Sequence, residues 1–281
     1  MNNKYIKTLI FLACTIAVFV GLGILNQPRN LDQDTIRDAV ESMLKLDELL
    51  AKQKIGWGDV DGQYFGELDK VVADTDRFIE DVRLHRKIRD AIKAGKKDIS
   101  PRLQGIIIRR TLLRACLYHI EALLTPKIEP EISLPATEKQ WRIEALMQLV
   151  FKFVENESPV YLDGLHKRLD HWKESGQLAD GEKFIEYVKG IVAKTILIRM
   201  NQWRKLNKKT KEGRFNSIVY QAEMRQLFHY LYPDHAAYNK KKAWKILTEF
   251  TNNPDDVDDR FISEGVAEAF KEQIKLVEEN S

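Results

Sequence analysis

The sequence predicts an all-α protein with one N-terminal transmembrane helix. Its 281 residues include only 14 Gly and 8 Pro, fewer turn residues than many short strands would need. Apolar residues recur every three to four positions, and no segment sustains the two-residue alternation of a strand. One uninterrupted apolar run occupies residues 8–26. We therefore expect a membrane anchor followed by a multi-helix domain, built as a bundle or an irregular helical array.

The anchor prediction assigns residues 1–30 to a signal-anchor segment. The apolar run 8–26 carries no charge, and about 18 apolar residues in a helix rise by about 27 Å, enough to cross a hydrocarbon core. Lys4 and Lys7 precede the run, so the positive-inside rule leaves the N-terminus in the cytoplasm and the rest of the chain outside, in the periplasm if the cell is Gram-negative.

Two other interpretations of this segment remain open. A signal peptide could be cleaved after Gly23, although the small residues there lie inside the apolar run rather than after it. A lipoprotein signal at Cys14 is the least favoured, because the apolar run continues beyond that cysteine.

Residues 31–125 form the first predicted helical half. One helix is expected before and one after a glycine-rich loop at residues 56–62. A third helix spans residues 102–124 and follows Ser100 and Pro101. The third has the richest apolar content outside the anchor and contains Cys116, which we interpret as a buried thiol.

A linker at residues 126–136 contains three prolines and separates this half from the second, residues 137–281. Thr137 and Gln140 match a capping box at the start of a helix that runs to about residue 156. Further helices, punctuated by Pro159, Gly176, Gly213, Pro233 and Pro254, are expected at residues 160–174, 182–211, 216–231, 238–251 and 258–278.

The formal net charge of +3 hides two opposed segments. Residues 194–245 contain 13 basic and 3 acidic side chains, whereas residues 246–281 contain 3 basic and 10 acidic ones. The functional interpretation is a basic surface that meets an acidic partner protein, an anionic lipid or an envelope polymer. Its predicted residues are Trp203, Arg204, Lys205, Lys208, Lys209, Lys211, Lys240, Lys241 and Lys242. In the competing interpretation the acidic segment folds back and neutralises the basic one.

Motifs for catalysis or cofactor binding are scarce, and we expect no cofactor and no nucleic-acid partner. The chain has neither a phosphate-binding glycine loop nor a Gly-x-Ser-x-Gly nucleophile elbow. Asp163, His166 and Asp170 fall on one helix face and could offer three ligands to a divalent metal. The competing interpretation is a solvated helix face whose carboxylates are neutralised by neighbouring lysines and arginines.

One dipeptide suggests an enzyme. Glu157-Ser158 resembles the dipeptide that carries the catalytic acid of membrane-anchored lytic transglycosylases, which are helical and extracytoplasmic. The following residues, PVYLDGL, depart from that family's Gly-Leu-Met-Gln pattern. The resemblance would imply cleavage of a cell-envelope polymer by Glu157.

The sequence therefore favours a non-catalytic function. We expect a membrane-anchored extracytoplasmic accessory, scaffold or assembly subunit, which binds one or more proteins of a membrane or envelope complex through its helix faces and charged patches. The alternatives are the polymer-cleaving enzyme and a helical module that binds a metal or another ligand.

Overall fold

The described part of the protein, in this computed structural model, is all-helical. It comprises residues 101–124 and 135–279, together with residues 37, 38, 41, 42, 44 and 45. No strand occurs within these ranges, as the sequence predicts. The predicted anchor at residues 8–26, the glycine-rich loop and nearly all of the linker lie outside the described residues. Among the helices that are described, none has the length and apolar character needed to cross a membrane.

Residues 101–124 and 135–279 contain seven α-helices and one 3₁₀ turn. In chain order they are α1 (Pro101–Leu124), α2 (Ala136–Glu157), the 3₁₀ turn (Pro159–Tyr161), α3 (Leu162–Ser175), α4 (Leu178–Arg204), α5 (Lys211–Glu249), α6 (Asp259–Ala269) and α7 (Lys271–Glu278).

Helix α4 lies at the centre of the packing. It contacts α1, α3, α5, α6 and α7, and α5 adds contacts to α1 and α6. Their facing sides form an apolar core that includes Phe184, Ile196, Phe228 and Leu231, each fully buried. Cys116 lies in the same interior, which confirms the interpretation of its thiol as buried.

Local cap signals predict some helix ends correctly and one start wrongly. Gly176 ends α3 in the left-handed conformation with φ of 62°, and the Asp258 side chain caps α6 by accepting from the backbone N–H of Phe261. The predicted capping box at Thr137 is wrong. Helix α2 begins one residue earlier, and the Gln140 amide donates to Glu144 instead.

The predicted break at Pro233 is also wrong, because Pro233 lies inside α5. Proline cannot bond the carbonyl four residues earlier, which belongs to His229. The Tyr118 hydroxyl of α1 donates to that carbonyl at 2.6 Å, so the freed acceptor keeps a partner. The helix is interrupted instead at Asn239, with φ of −155° and ψ of 93°, whose side chain accepts from the backbone N–H of Lys242.

Candidate interaction surface

The basic segment and the acidic C-terminal segment are joined by four ion pairs. These are Lys194–Glu278, Arg204–Asp259, Arg214–Asp255 and Lys242–Glu268. Four of the 13 basic side chains of residues 194–245 are therefore paired with four of the 10 acidic ones of residues 246–281, in the way that the competing interpretation expects.

The side chains of three residues of the predicted basic surface are buried or bound to other parts of the domain. Trp203 is only 3% exposed. Arg204 is occupied by the Asp259 carboxylate, and it donates further to the Asp259 carbonyl and the Ser263 hydroxyl. The Lys242 ammonium pairs with Glu268 at 2.5 Å. These three side chains are therefore engaged in contacts within the domain.

The first group of exposed residues of the predicted basic surface lies at the connection between α4 and α5. Lys205 and Lys209 of this connection are exposed, as is Lys211, the first residue of α5, and we call these three lysines the loop patch. The connection borders an open depression of about 620 Å³ whose charged lining comprises Arg204, Lys208, Lys209, Arg214 and Asp255. Arg204 and Arg214 are paired with Asp259 and Asp255, so the remaining positive charge of the lining comes from Lys208 and Lys209 and favours anionic groups.

This connection is fixed in place by its own contacts. Thr210 caps α5 by accepting from the backbone N–H of Gly213, and its hydroxyl donates to the Asn207 carbonyl. A Cβ at Gly213 would lie 2.0 Å from that carbonyl oxygen, so only glycine permits the close approach. Gly213, which the sequence analysis places between two helices, therefore lies in the first turn of α5.

Lys208 attaches the connection to the core. Its ammonium lies 3.1 Å from the centroid of the Trp203 ring and donates to the Pro254 carbonyl. Burial lowers the pKa of Lys208, against the opposing effect of Asp255 and Asp259. Lys208 therefore positions the loop patch rather than extending into solvent with it.

The second group lies on α5 beyond the interruption at Asn239. Lys240, Lys241, Trp244 and Lys245 are exposed, and we call them the Trp244 face. Trp244 is 63% exposed, and residues three and four positions apart are neighbours on a helix. Ala243, Ile246 and Phe250 form the opposite, buried side of the same segment.

The surface predicted as one patch is therefore two. The loop patch lies at the first residue of α5 and the Trp244 face beyond Asn239, so about 40 Å of helix separates them.

The predicted metal ligands do not assemble. Asp163 pairs with Lys167 at 2.6 Å, and Asp170 lies 3.7 Å from Lys173. The His166 ring stacks on Phe151. Within residues 101–124 and 135–279, no group of three or more His, Cys, Asp or Glu side chains could hold a metal ion.

Glu157 belongs to a buried cluster of four charges that the sequence did not predict. Its carboxylate accepts from Arg110 at 2.5 Å and from Arg199 at 2.6 Å. The Arg110 guanidinium also donates to Glu223 at 3.0 and 3.2 Å. The side chains of Arg110, Glu157 and Glu223 are 1%, 7% and 7% exposed, whereas that of Arg199 is 18% exposed, so the cluster lies among α1, α2, α4 and α5 with only Arg199 reaching toward solvent.

This environment is unsuited to a general acid. Burial favours the protonated form of Glu157, but the charges of Arg110 and Arg199 outweigh burial and lower the pKa of the carboxyl. An acid that protonates a leaving group needs a raised pKa instead. The adjoining cavity, lined in part by Leu149 and Phe153, has a volume of about 20 Å³, enough for one water molecule.

A second cluster of charges has a similar structural role. The Lys189 side chain is 6% exposed and bonds Glu121 at 2.9 Å and Asp234 at 3.1 Å. Burial alone would lower the pKa of Lys189, and the two carboxylates raise it. The sequence contains one signal for buried ion pairs, which concerns the first cluster: arginines occur within the apolar helix predicted at residues 102–124.

Comparison of the chain with known protein families, with curated proteins and with solved structures finds no match. Function must therefore be inferred from the geometry of the described residues.

Proposed function

We propose that this protein is a non-catalytic, membrane-anchored accessory or assembly subunit whose extracytoplasmic helical domain docks an acidic partner protein through the loop patch. Residues 8–26 serve as the anchor, with the N-terminus in the cytoplasm. The observation that carries the docking proposal is the rigid display of Lys205, Lys209 and Lys211 beside a cationic depression.

The fixed geometry of the loop favours binding. Ordering a flexible loop on association costs conformational entropy, and a loop that is already ordered avoids most of that cost. The Thr210 cap, the Gly213 contact and the Lys208–Trp203 contact provide this order. Exposed lysines then supply long-range attraction, which raises the association rate with an acidic surface.

The buried charges support a structural rather than catalytic interpretation of the domain. Four of these charged side chains form ion pairs with one another: Arg110, Glu157, Arg199 and Glu223. Lys189 forms ion pairs with Glu121 and Asp234. Their ion pairs hold helices together.

The docking experiment compares charge-reversal variants in the native membrane. The K205E/K209E/K211E variant changes the loop patch, and K167E/K271E/K275E makes the same change in charge at exposed lysines elsewhere. After membrane solubilisation, we expect wild type and control to recover a stoichiometric acidic partner, and the loop-patch variant to lose it. Equal recovery by all three, or a monomeric wild type in several detergents, would refute docking through this loop.

The anchor is tested separately. Alkaline carbonate extraction should leave the chain in the membrane fraction, and added protease should digest the domain from the extracytoplasmic side only. Release by carbonate, or digestion from the cytoplasmic side, would contradict the anchored topology.

A further inference from the structure

We propose that the Trp244 face binds the anionic headgroup surface of a lipid bilayer. The proposal extends the proposed function, from which it takes the membrane as the location of the chain. It concerns a surface about 40 Å of helix away from the loop patch.

The Trp244 face combines an apolar ring with cations on one side of a helix. Trp244 is 63% exposed, and Lys240 and Lys241 precede it by one helical turn. Within the described part of the chain, neither lysine forms an ion pair. Their charges are therefore available to a partner, unlike that of Lys242, which is bound to Glu268.

The composition of this face distinguishes a bilayer from a protein partner. Lysine is depleted in the desolvated centre of a protein interface, where an exposed Trp244 would lie with Lys240 and Lys241 beside it, whereas the lysines of the loop patch act by long-range attraction at the polar rim of an interface. At a bilayer, indole rings locate to the headgroup level, while lysine stems lie along the apolar boundary with their ammonium groups in the polar layer. A tryptophan flanked by lysines therefore fits an anionic bilayer better than a protein interface.

The structure holds the face rigidly enough to present all of these side chains together. Ala243, Ile246 and Phe250 anchor the opposite side of the helix in the core. The Lys245 ammonium lies 4.2 Å from the centroid of the Phe261 ring of α6, and Asn239 caps the start of the segment.

A membrane anchor makes such a face effective even if its own affinity is low. Tethering raises the effective concentration of the bilayer at the face, so weak contacts suffice to hold the domain against it. Each lysine near an anionic surface contributes about a fivefold change in the binding equilibrium, so Lys240 and Lys241 together contribute about 25-fold.

The test uses the full chain reconstituted into vesicles of phosphatidylcholine alone or of phosphatidylcholine with about one third phosphatidylglycerol. A fraction of the lipid carries brominated acyl chains, which quench tryptophan fluorescence at short range. The chain has five tryptophans, so the Trp244 signal is obtained by subtracting the emission of the W244F variant. We expect this signal to be quenched in the vesicles with phosphatidylglycerol and to recover in high salt.

The K240E/K241E variant should lose the phosphatidylglycerol-dependent quenching, whereas K167E/K271E, which reverses two exposed lysines elsewhere, should keep it. Equal Trp244 quenching in both vesicle types, or none in either, would overturn the inference. So would identical behaviour of the two double variants.

Flotation of the same vesicles separates this inference from the anchor. If the wild type floats with neutral vesicles but shows no phosphatidylglycerol-dependent quenching, the result supports the membrane anchor and refutes lipid binding by the Trp244 face. A chain that floats only with anionic vesicles and shows the quenching supports the face and refutes the anchor.

Discussion

Replacing Arg110 with Met should destabilise the domain strongly. Methionine keeps most of the apolar stem but removes the guanidinium, which lies 5.1 Å from the centroid of the Phe153 ring and donates to two carboxylates that are each 7% exposed. Arg199, 18% exposed, would be left to balance both. Removing one partner of a buried ion pair costs about 3–5 kcal/mol, which corresponds to a fall in melting temperature of roughly 6–20 °C for a domain of this size.

The assay is thermal and urea unfolding of the full chain in detergent, followed by far-ultraviolet circular dichroism. The R110M/E223Q variant removes one charge of each sign, so it should recover at least half of the free energy lost in R110M. A loss below about 1 kcal/mol in R110M, the usual range for exposed pairs, would refute the argument that this cluster acts as a buried unit. A double variant no more stable than R110M would show that packing, not charge balance, sets the cost.

The cluster of Arg110, Glu157, Arg199 and Glu223 determines whether the stability of the folded domain rises or falls with pH. The pKa of Glu157 is lowered in the folded state, so its stabilising effect is complete above the unfolded pKa and is lost as the pH falls through the folded one. Wild-type stability should therefore decrease below about pH 4, and E157Q should show a shallower decrease. An identical slope for the two proteins between about pH 4 and pH 2 would contradict the pairing of Glu157.

Three further predictions concern packing within the domain. Tyr118→Phe should cost about 1–3 kcal/mol in the free energy of unfolding, because the carbonyl freed by the helix proline loses its donor; an unchanged urea midpoint would contradict this. Gly190→Ala should lower the free energy of unfolding by about 1–3 kcal/mol, because the new Cβ would lie 2.3 Å from a backbone carbonyl oxygen of α7. In the control Gly181→Ala the nearest neighbour of the new Cβ is 3.3 Å away, so the free energy of unfolding should change by less than about 1 kcal/mol. Burial raises the pKa of the Cys116 thiol to about 12, so in a Cys14→Ser background iodoacetamide should label it only in denaturant; rapid labelling of the folded chain would contradict its burial.

Signals that act within one helical turn were predictable from the sequence. The caps at Gly176 and Asp258 depend on a few neighbouring residues, and the helical period predicts the buried sides of the helices. The Trp244 segment also belongs here, because its lysines and tryptophan are adjacent in the sequence as well as in space.

Features that depend on distant parts of the chain were missed. Pro233 reads as a helix break until Tyr118, 111 residues before the carbonyl it bonds, supplies the missing partner. Trp203 looks exposed among its basic neighbours, but Lys208 and the core enclose it. Glu157 suggested catalysis because the dipeptide Glu157-Ser158 resembles a catalytic one, and nothing near it in the sequence indicates its two arginine partners.

The long separation between Arg110 and its partner Glu223 has a consequence for how the protein is made. These two residues are 113 positions apart, and translation at about 5–20 residues per second takes roughly 6–20 s to cover that distance. During this interval α1 is complete, yet neither Glu223 nor the His229 carbonyl bonded by Tyr118 has been synthesised. The bonds from Arg110 and Tyr118 of α1 to α5 can therefore form only after α5 has left the ribosome, late in the synthesis of the chain.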